Sequence, residues 1–301
     1  MSVAASFAFV LLLIALGRLL AWRRIVPENA SDALNAVVLY VCLPASILVN
    51  APKLELRPEL IAVAITPWLL FAASTALVLA LARWWRFARG DTAVLLLEVP
   101  LGNTSFLGFA LVPVLAGAEA LRYAVVFDQF GSFLILSTVG LTVIALYGGG
   151  ARPTPMTIVR RVLGFPPFLM LVFALTLMPK EPPPAVLAML QALSGALLPL
   201  VGLALGMQLK LRLPRSQIAP LAVGLVGKLV VMPALALLLA GLLGLDPTMR
   251  AAVVLEAAMP PMITSAALAA MAGLAPELGA ALVGYGILLS MATLPLWRLV
   301  L

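Results

Sequence analysis

Pro100-Leu101-Gly102-Asn103-Thr104-Ser105 interrupts the apolar run Val94–Leu115, and Met259-Pro260-Pro261-Met262-Ile263-Thr264-Ser265 interrupts the run Ala251–Ala272 half a chain later. Each run is long enough to cross a bilayer, yet each holds helix-breaking residues at its middle. In hydrocarbon an unpaired backbone group costs several kcal/mol, so such a break persists only where protein or a water-lined cavity satisfies the freed groups. Two breaks at corresponding places in the two halves imply an inverted repeat with a binding site between half-helices at the midplane.

Composition sets the solvent. Of the 301 residues, 64% are hydrophobic and 10% charged, against about 45–50% and about 25% in a soluble domain. About 20 apolar residues cross the hydrocarbon as a helix. The chain divides into ten such spans: 3–22, 31–50, 60–82, 92–116, 120–147, 158–178, 185–209, 217–243, 249–272 and 278–299. The expected fold is an all-α membrane protein. The first span lacks a basic leader, and its arginines, Arg18, Arg23 and Arg24, follow the apolar run; it reads as a retained helix rather than a cleaved signal. Histidine is absent and Cys42 is the single cysteine, which excludes an intramolecular disulfide and weighs against a metal centre. Neither a metal nor a cofactor is expected.

The net charge of +7 is one-sided. Alternate connections hold Arg18, Arg23, Arg24; Arg83, Arg86, Arg89; Arg152, Arg160, Arg161; and Lys210, Arg212, Arg215. The opposite connections hold Lys53, Arg57, Arg122, Lys180 and Arg250, mostly beside Glu55, Glu59, Glu119, Glu181 or Asp246. The positive-inside rule places the first group in the cytoplasm and both termini outside. Nucleic acid is not needed to explain the charge.

Ten spans with both termini on one side leave five per half, so the second half enters from the opposite face. The expected repeat is inverted, 1–150 against 151–301. A shift of 158 residues puts Glu98 on Glu256, Glu119 on Glu277, Ser132 on Ser290, and Gly102-Asn103 on Pro260-Pro261. Pro44 and Pro199 lie inside the second and seventh spans, where packing kinks account for them.

Leu34-Asn35-Ala36-Val37-Val38-Leu39-Tyr40-Val41-Cys42-Leu43-Pro44-Ala45, Gly102-Asn103-Thr104-Ser105-Phe106-Leu107-Gly108, Tyr123-Ala124-Val125-Val126-Phe127-Asp128-Gln129 and the tail from Met259-Pro260-Pro261 to Leu294-Pro295-Leu296 resemble the auxin efflux carrier family, whose bacterial members include organic-acid permeases. The likeness runs nearly end to end. It implies five-plus-five topology with crossed, broken helices 4 and 9, and a scaffold over 1–57 and 151–213. A transport unit over 58–150 and 214–301 would slide on that scaffold as an elevator. It also implies a carboxylate substrate and a homodimer; the expected location is the inner membrane, with both termini periplasmic by the charge rule. The connection Gly148–Thr157 is much shorter than in plant members. The fold resembles that of the bile acid/sodium symporters as well, although no motif here establishes sodium coupling. A coupled proton, a sodium ion and no ion all stand.

At the first break, Asn103, Thr104 and Ser105 sit where a second half-helix begins, and a helix start attracts anions. Asn103 can cap that helix or turn its NH₂ toward a carboxylate. At the second, Pro260 and Pro261 free carbonyls, and Thr264 and Ser265 offer hydroxyls as ligands or as packing groups. Charged groups at membrane depth are functional candidates: Lys228 for a substrate carboxylate or a helix acid, and Glu98, Asp128 with Gln129, and Glu256 for coupling or support. Asn35 and Gln208 read as interhelical hydrogen-bond glue. Trp22, Trp84, Trp85 and Trp297 lie near span ends like an interfacial belt, with Trp68 further in. Gly202, Gly206, Gly224 and Gly227 permit close helix approach. Without a Walker loop, the leading reading is a secondary carrier of a small organic anion. An intramembrane carboxylate enzyme and a non-transporting sensor are the other classes.

Overall fold

The computed structural model describes residues 3–53, 58–149, 154–209 and 215–301, and every element among them is helical. Glu55, Arg57, Arg152, Lys210 and Arg212 lie outside these residues, as do the side chains of Lys53 and Arg161. The helices are α1 (Val3–Trp22), α2 (Ala30–Asn50), α3 (Glu59–Trp85), α4 (Arg89–Glu98), α5 (Thr104–Ala116) and α6 (Ala120–Gly148). There follow α7 (Pro155–Leu163), α8 (Pro166–Thr176), α9 (Pro184–Gln208), α10 (Arg215–Leu242), α11 (Pro247–Ala257), α12 (Ile263–Met271) and α13 (Pro276–Val300). Among the described residues six of them, α2, α3, α6, α9, α10 and α13, are long and apolar enough to cross a membrane.

The spans expected over 92–116 and 249–272 are each two helices, α4 with α5 and α11 with α12. The span expected over 158–178 is also divided, which the hydropathy alone did not indicate. Phe165 between α7 and α8 is extended, at φ −93° and ψ 109°. Its neighbour Pro166 disfavours the helical conformation at the residue before it, and α7 ends just ahead of it. The signal was Gly-Phe-Pro-Pro, hidden inside an apolar run.

Several long helices contain wide π turns: Val38–Cys42 in α2, Asp128–Ser132 and Leu136–Gly140 in α6, and Gly227–Val231 in α10. Two of these precede a proline by one or two residues, at Pro44 and Pro233. A proline removes one ladder donor and crowds the preceding turn, and a widened turn relieves that crowding. The widened turns leave carbonyls for other donors. Trp68 Nε1 donates to the carbonyl of Phe130 at 2.8 Å, and Trp297 Nε1 to that of Leu229 at 2.9 Å. Both indoles act as internal donors, so Trp297 is more than an interfacial anchor.

α1 packs along the second half of α9 at backbone contact distance. A Cβ on Gly17 would lie 2.2 Å from the Leu203 carbonyl oxygen, one on Gly206 2.0 Å from that of Ile14, and one on Gly202 2.8 Å from Leu13 Cβ. With lipid as solvent there is little hydrophobic drive between helices, so small residues that let backbones meet supply the dispersion contact. α2 completes this layer against α8 and α9. In the remainder, α4 lies beside α12 and α5 beside α11, with α3, α6, α10 and α13 packed around them. Each half-helix therefore neighbours the opposite half of the other broken pair.

Candidate functional site: the paired helix breaks

The two interruptions meet as a two-residue antiparallel bridge. Asn103 N–H donates to the Pro260 carbonyl at 2.7 Å, and Met262 N–H donates to the Leu101 carbonyl at 3.2 Å. Between these bonds Gly102 faces Pro261. Directly opposed residues flanked this way form the non-hydrogen-bonded pair of an antiparallel ladder, in which neither amide is needed and the backbones come closest. Pro261 has no amide to waste there. Gly102 has no side chain to obstruct, and a Cβ on it would lie 2.9 Å from Lys228 Nζ and 3.4 Å from the Glu256 carbonyl oxygen.

Both second half-helices start at the bridge, and both first half-helices end there. On the starting side Asn103 caps α5: its Oδ1 accepts from Leu107 N–H at 3.2 Å. Its Nδ2 is buried without a partner. The hydroxyls of Thr104 and Ser105 both donate to Asp128, the latter at 2.6 Å, and Gln129 Nε2 donates to the same carboxylate at 2.6 Å. Asp128 and Gln129 stand in a π turn of α6, whose extra residue brings adjacent side chains toward one target. The buried carboxylate, accepting three hydrogen bonds, fixes the first turn of α5.

On the ending side, Glu98 is the last residue of α4, and Glu256 is the last but one of α11; both are fully buried. Glu98 Oε1 accepts from Ser265 Oγ at 2.6 Å, while its Oε2 has no partner. Both oxygens of Glu256 lack partners. They lie so near α5 that a Cβ on Gly108 would be 2.5 Å from Oε2 and 2.6 Å from Oε1. Lys228, in the π turn of α10, donates to the Pro100 carbonyl at 3.4 Å and lies in electrostatic range of Glu98 and Glu256. The carbonyl ends of α4 and α11 carry partial negative charge, a carboxyl group lies beside each, and the Lys228 side chain sits among all four.

A cavity of about 480 Å³ covers the starting side, within the roughly 300–1,000 Å³ usual for small-molecule sites. Asn103, Thr104, Ser105, Asp128 and Thr264 form its polar part, with Gly102, Met262 and Ile263 beside them; Asp32, Asn35 and Tyr40 of α2 flank it. Its apolar wall includes Phe106, Phe133 and Phe165, the last two stacked with centroids 4.0 Å apart. A smaller cavity of about 270 Å³ lies at the other end of α2, between Ser46, Asn50, Phe109 and Ser194.

A family model described as "Membrane transport protein" matches residues 2–298. The chain belongs to this family. It is the auxin efflux carrier family that the sequence motifs resemble. A relative from Methanothermobacter thermautotrophicus, described as an uncharacterized transporter, is 28% identical over 299 residues, which cover 97% of this chain and 96% of the relative.

Within this membrane transport protein, the residues singled out from the sequence fall into two groups. Asn103, Thr104, Ser105, Asp128 and Thr264 line the large cavity; Gln129 supports it through Asp128. Pro260, Pro261, Ser265, Lys228, Glu98 and Glu256 do not line it. Pro260 and Pro261 build the bridge, Ser265 binds Glu98, and Lys228 lies on the far side at the helix ends. Asn35, read from sequence as glue, lines the cavity with Asp32 and the aromatic side chains. Hydropathy gives no sign of which apolar residues face a cavity, because lipid, protein and cavity all accept them.

Proposed function

We propose that the protein is a secondary carrier that moves a small organic anion, a carboxylate, across the inner membrane. The carrying observation is Asn103: it lines an apolar-walled cavity at the start of α5, beside the starting side of α12, and its buried amide NH₂ has no hydrogen-bond partner. An unsatisfied buried donor costs about 1–3 kcal/mol, and a carboxylate would recover that cost where two helix starts favour negative charge. The apolar body of the substrate then lies on the aromatic wall. Ten crossings arranged as two inverted five-helix units accommodate this reading, α4 with α5 and α11 with α12 each counting as one broken, crossed span.

The scaffold comprises 1–57 and 151–213, and the transport unit, 58–150 and 214–301, slides against it. The glycine-rich seam of α1 and α9 gives the scaffold its rigidity. The large cavity flanks the beginning of α2, near the arginine-rich connection that the charge rule assigns to the cytoplasm, so in this reading it is the inward-facing access to the site. The smaller cavity at the other end of α2 lies on the opposite route. Both termini are periplasmic, and two copies associate through their scaffolds.

A second reading adds a coupled cation, a proton or sodium, and Glu256 favours it. A fully buried carboxylate with two unpartnered oxygens is costly when ionised, and a cation or proton removes that cost. Uptake under imposed sodium, proton or no gradient separates these cases.

The test starts with a thermal-shift screen of carboxylates, because a ligand that binds the folded state raises its apparent stability. The hit is then followed into proteoliposomes. Asn103→Ala is expected to reduce uptake at least about tenfold, equal to about 1.4 kcal/mol, with a monodisperse, folded protein. Unchanged uptake removes Asn103 from the site.

A further inference from the structure

α7 begins and ends as an independent helix. The Thr154 hydroxyl accepts from Thr157 N–H at 3.2 Å, and Pro155 occupies the first helical position, where its missing amide is no loss. Gly164 N–H closes the last turn on the Arg160 carbonyl at 2.9 Å. Pro166 and Pro167 start α8 afresh after extended Phe165. α8 has 11 residues, about 16 Å of helix, roughly half the hydrocarbon thickness.

The sequence of α7, Pro155-Met156-Thr157-Ile158-Val159-Arg160-Arg161-Val162-Leu163, divides cleanly on a helical wheel. Met156, Ile158, Val159, Val162 and Leu163 fall on one arc, and Thr157, Arg160 and Arg161 on the other. Met156, Val159 and Leu163 are 59%, 48% and 57% exposed. The six helices long and apolar enough for a full crossing among the described residues do not include α7. Here an apolar stripe of two turns backs onto paired arginines, the pattern of a helix lying in a membrane surface rather than through it. The arginines belong to the basic set of connections, and the cytoplasmic leaflet carries the anionic lipid.

We propose that α7 is an interfacial helix, with Met156, Val159 and Leu163 inserted at the acyl boundary and its basic face, which carries Arg160, against anionic phospholipid headgroups. Its C-terminal hinge leads directly into the substrate cavity. Phe165, one residue past Gly164, stacks on Phe133 in the cavity wall. The lipid-held helix therefore anchors one side of the opening. This inference is independent of the identity of the substrate.

The full chain in nanodiscs, spin-labelled singly at Thr157→Cys, Val159→Cys, Arg160→Cys or Leu163→Cys, tests the placement; Cys42 is buried, so the unsubstituted protein serves as the labelling blank. Positions 159 and 163 are expected to relax with oxygen, and 157 and 160 with an aqueous nickel chelate. Equal aqueous access at all four positions overturns the proposal. So does shielding of 159 and 163 from both reagents, including shielding by a second copy, seen as label-to-label coupling.

Native mass spectrometry of unlabelled protein supplies the headgroup test. Phosphatidylglycerol should be retained over phosphatidylcholine, and Arg160→Glu with Arg161→Glu should abolish the preference. Equal retention of the two lipids by the unsubstituted protein also overturns it.

Discussion

The two helix breaks share a backbone and differ in chemistry. At Gly102-Asn103, a side chain caps the new helix, two hydroxyls anchor to Asp128, and a buried amide NH₂ remains unpartnered beside the cavity. At Pro260-Pro261, Met262 caps nothing with its side chain, and prolines fill the backbone positions where no amide is required. The acids before the breaks differ in the opposite sense. Glu98 has the Ser265 hydroxyl; Glu256, its counterpart under the 158-residue shift, has no hydrogen-bond partner and occupies space that the absent side chain of Gly108 leaves open. The same shift sets Gly108 on Ala266. The breaks thus provide a common frame, and the departures from symmetry mark where chemistry has been placed.

The largest effect should come from removing what the breaks share. Lys228→Met leaves two helix ends and two buried acids without their cation; loss of one partner from a buried charge cluster costs about 3–5 kcal/mol. A large fall in apparent melting temperature is expected in detergent, and an unchanged value would show that the ammonium does not bind the two breaks together. Next comes the asymmetry itself. Gly108→Ala should destabilise by roughly 1–3 kcal/mol through overpacking against Glu256, and Glu256→Ala in the same chain should relieve most of that. The reciprocal Ala266→Gly should cost only about 1 kcal/mol of helix propensity. Equal losses at 108 and 266 would erase the distinction. The smallest effects concern the wide turns: Trp68→Phe and Trp297→Phe each remove one indole donor, about 1 kcal/mol, and unequal losses would indicate that the two turns bear different loads.

Several features were legible because bilayer physics restricts the alternatives. A break at Gly102-Asn103 and another at Pro260-Pro261 can be read from residue type, since hydrocarbon cannot satisfy open backbone. The close glycine seam at Gly202 and Gly206 can be read for the same reason: packing in lipid depends on close backbone approach. The division at Gly164-Phe165 escaped because apolar residues on both sides kept the hydropathy high. Lys228 could be recognised as buried and charged, but nothing in its neighbours along the chain says whether it faces the cavity or the helix ends.

The sequence by itself determined that this chain is a helical membrane protein, where its backbone must break, and which motifs tie it to a family of membrane transport proteins. These follow from local composition, because lipid imposes the same penalties wherever a segment lies. Only the tertiary structure decided that the two breaks pair through Gly102 and Pro261, that Asn103 lines a cavity while Lys228 does not, and that Asn35, Phe133 and Phe165 share the wall. Such relations depend on which faces of distant helices meet, and apolar side chains that look alike in sequence acquire different roles only through that contact.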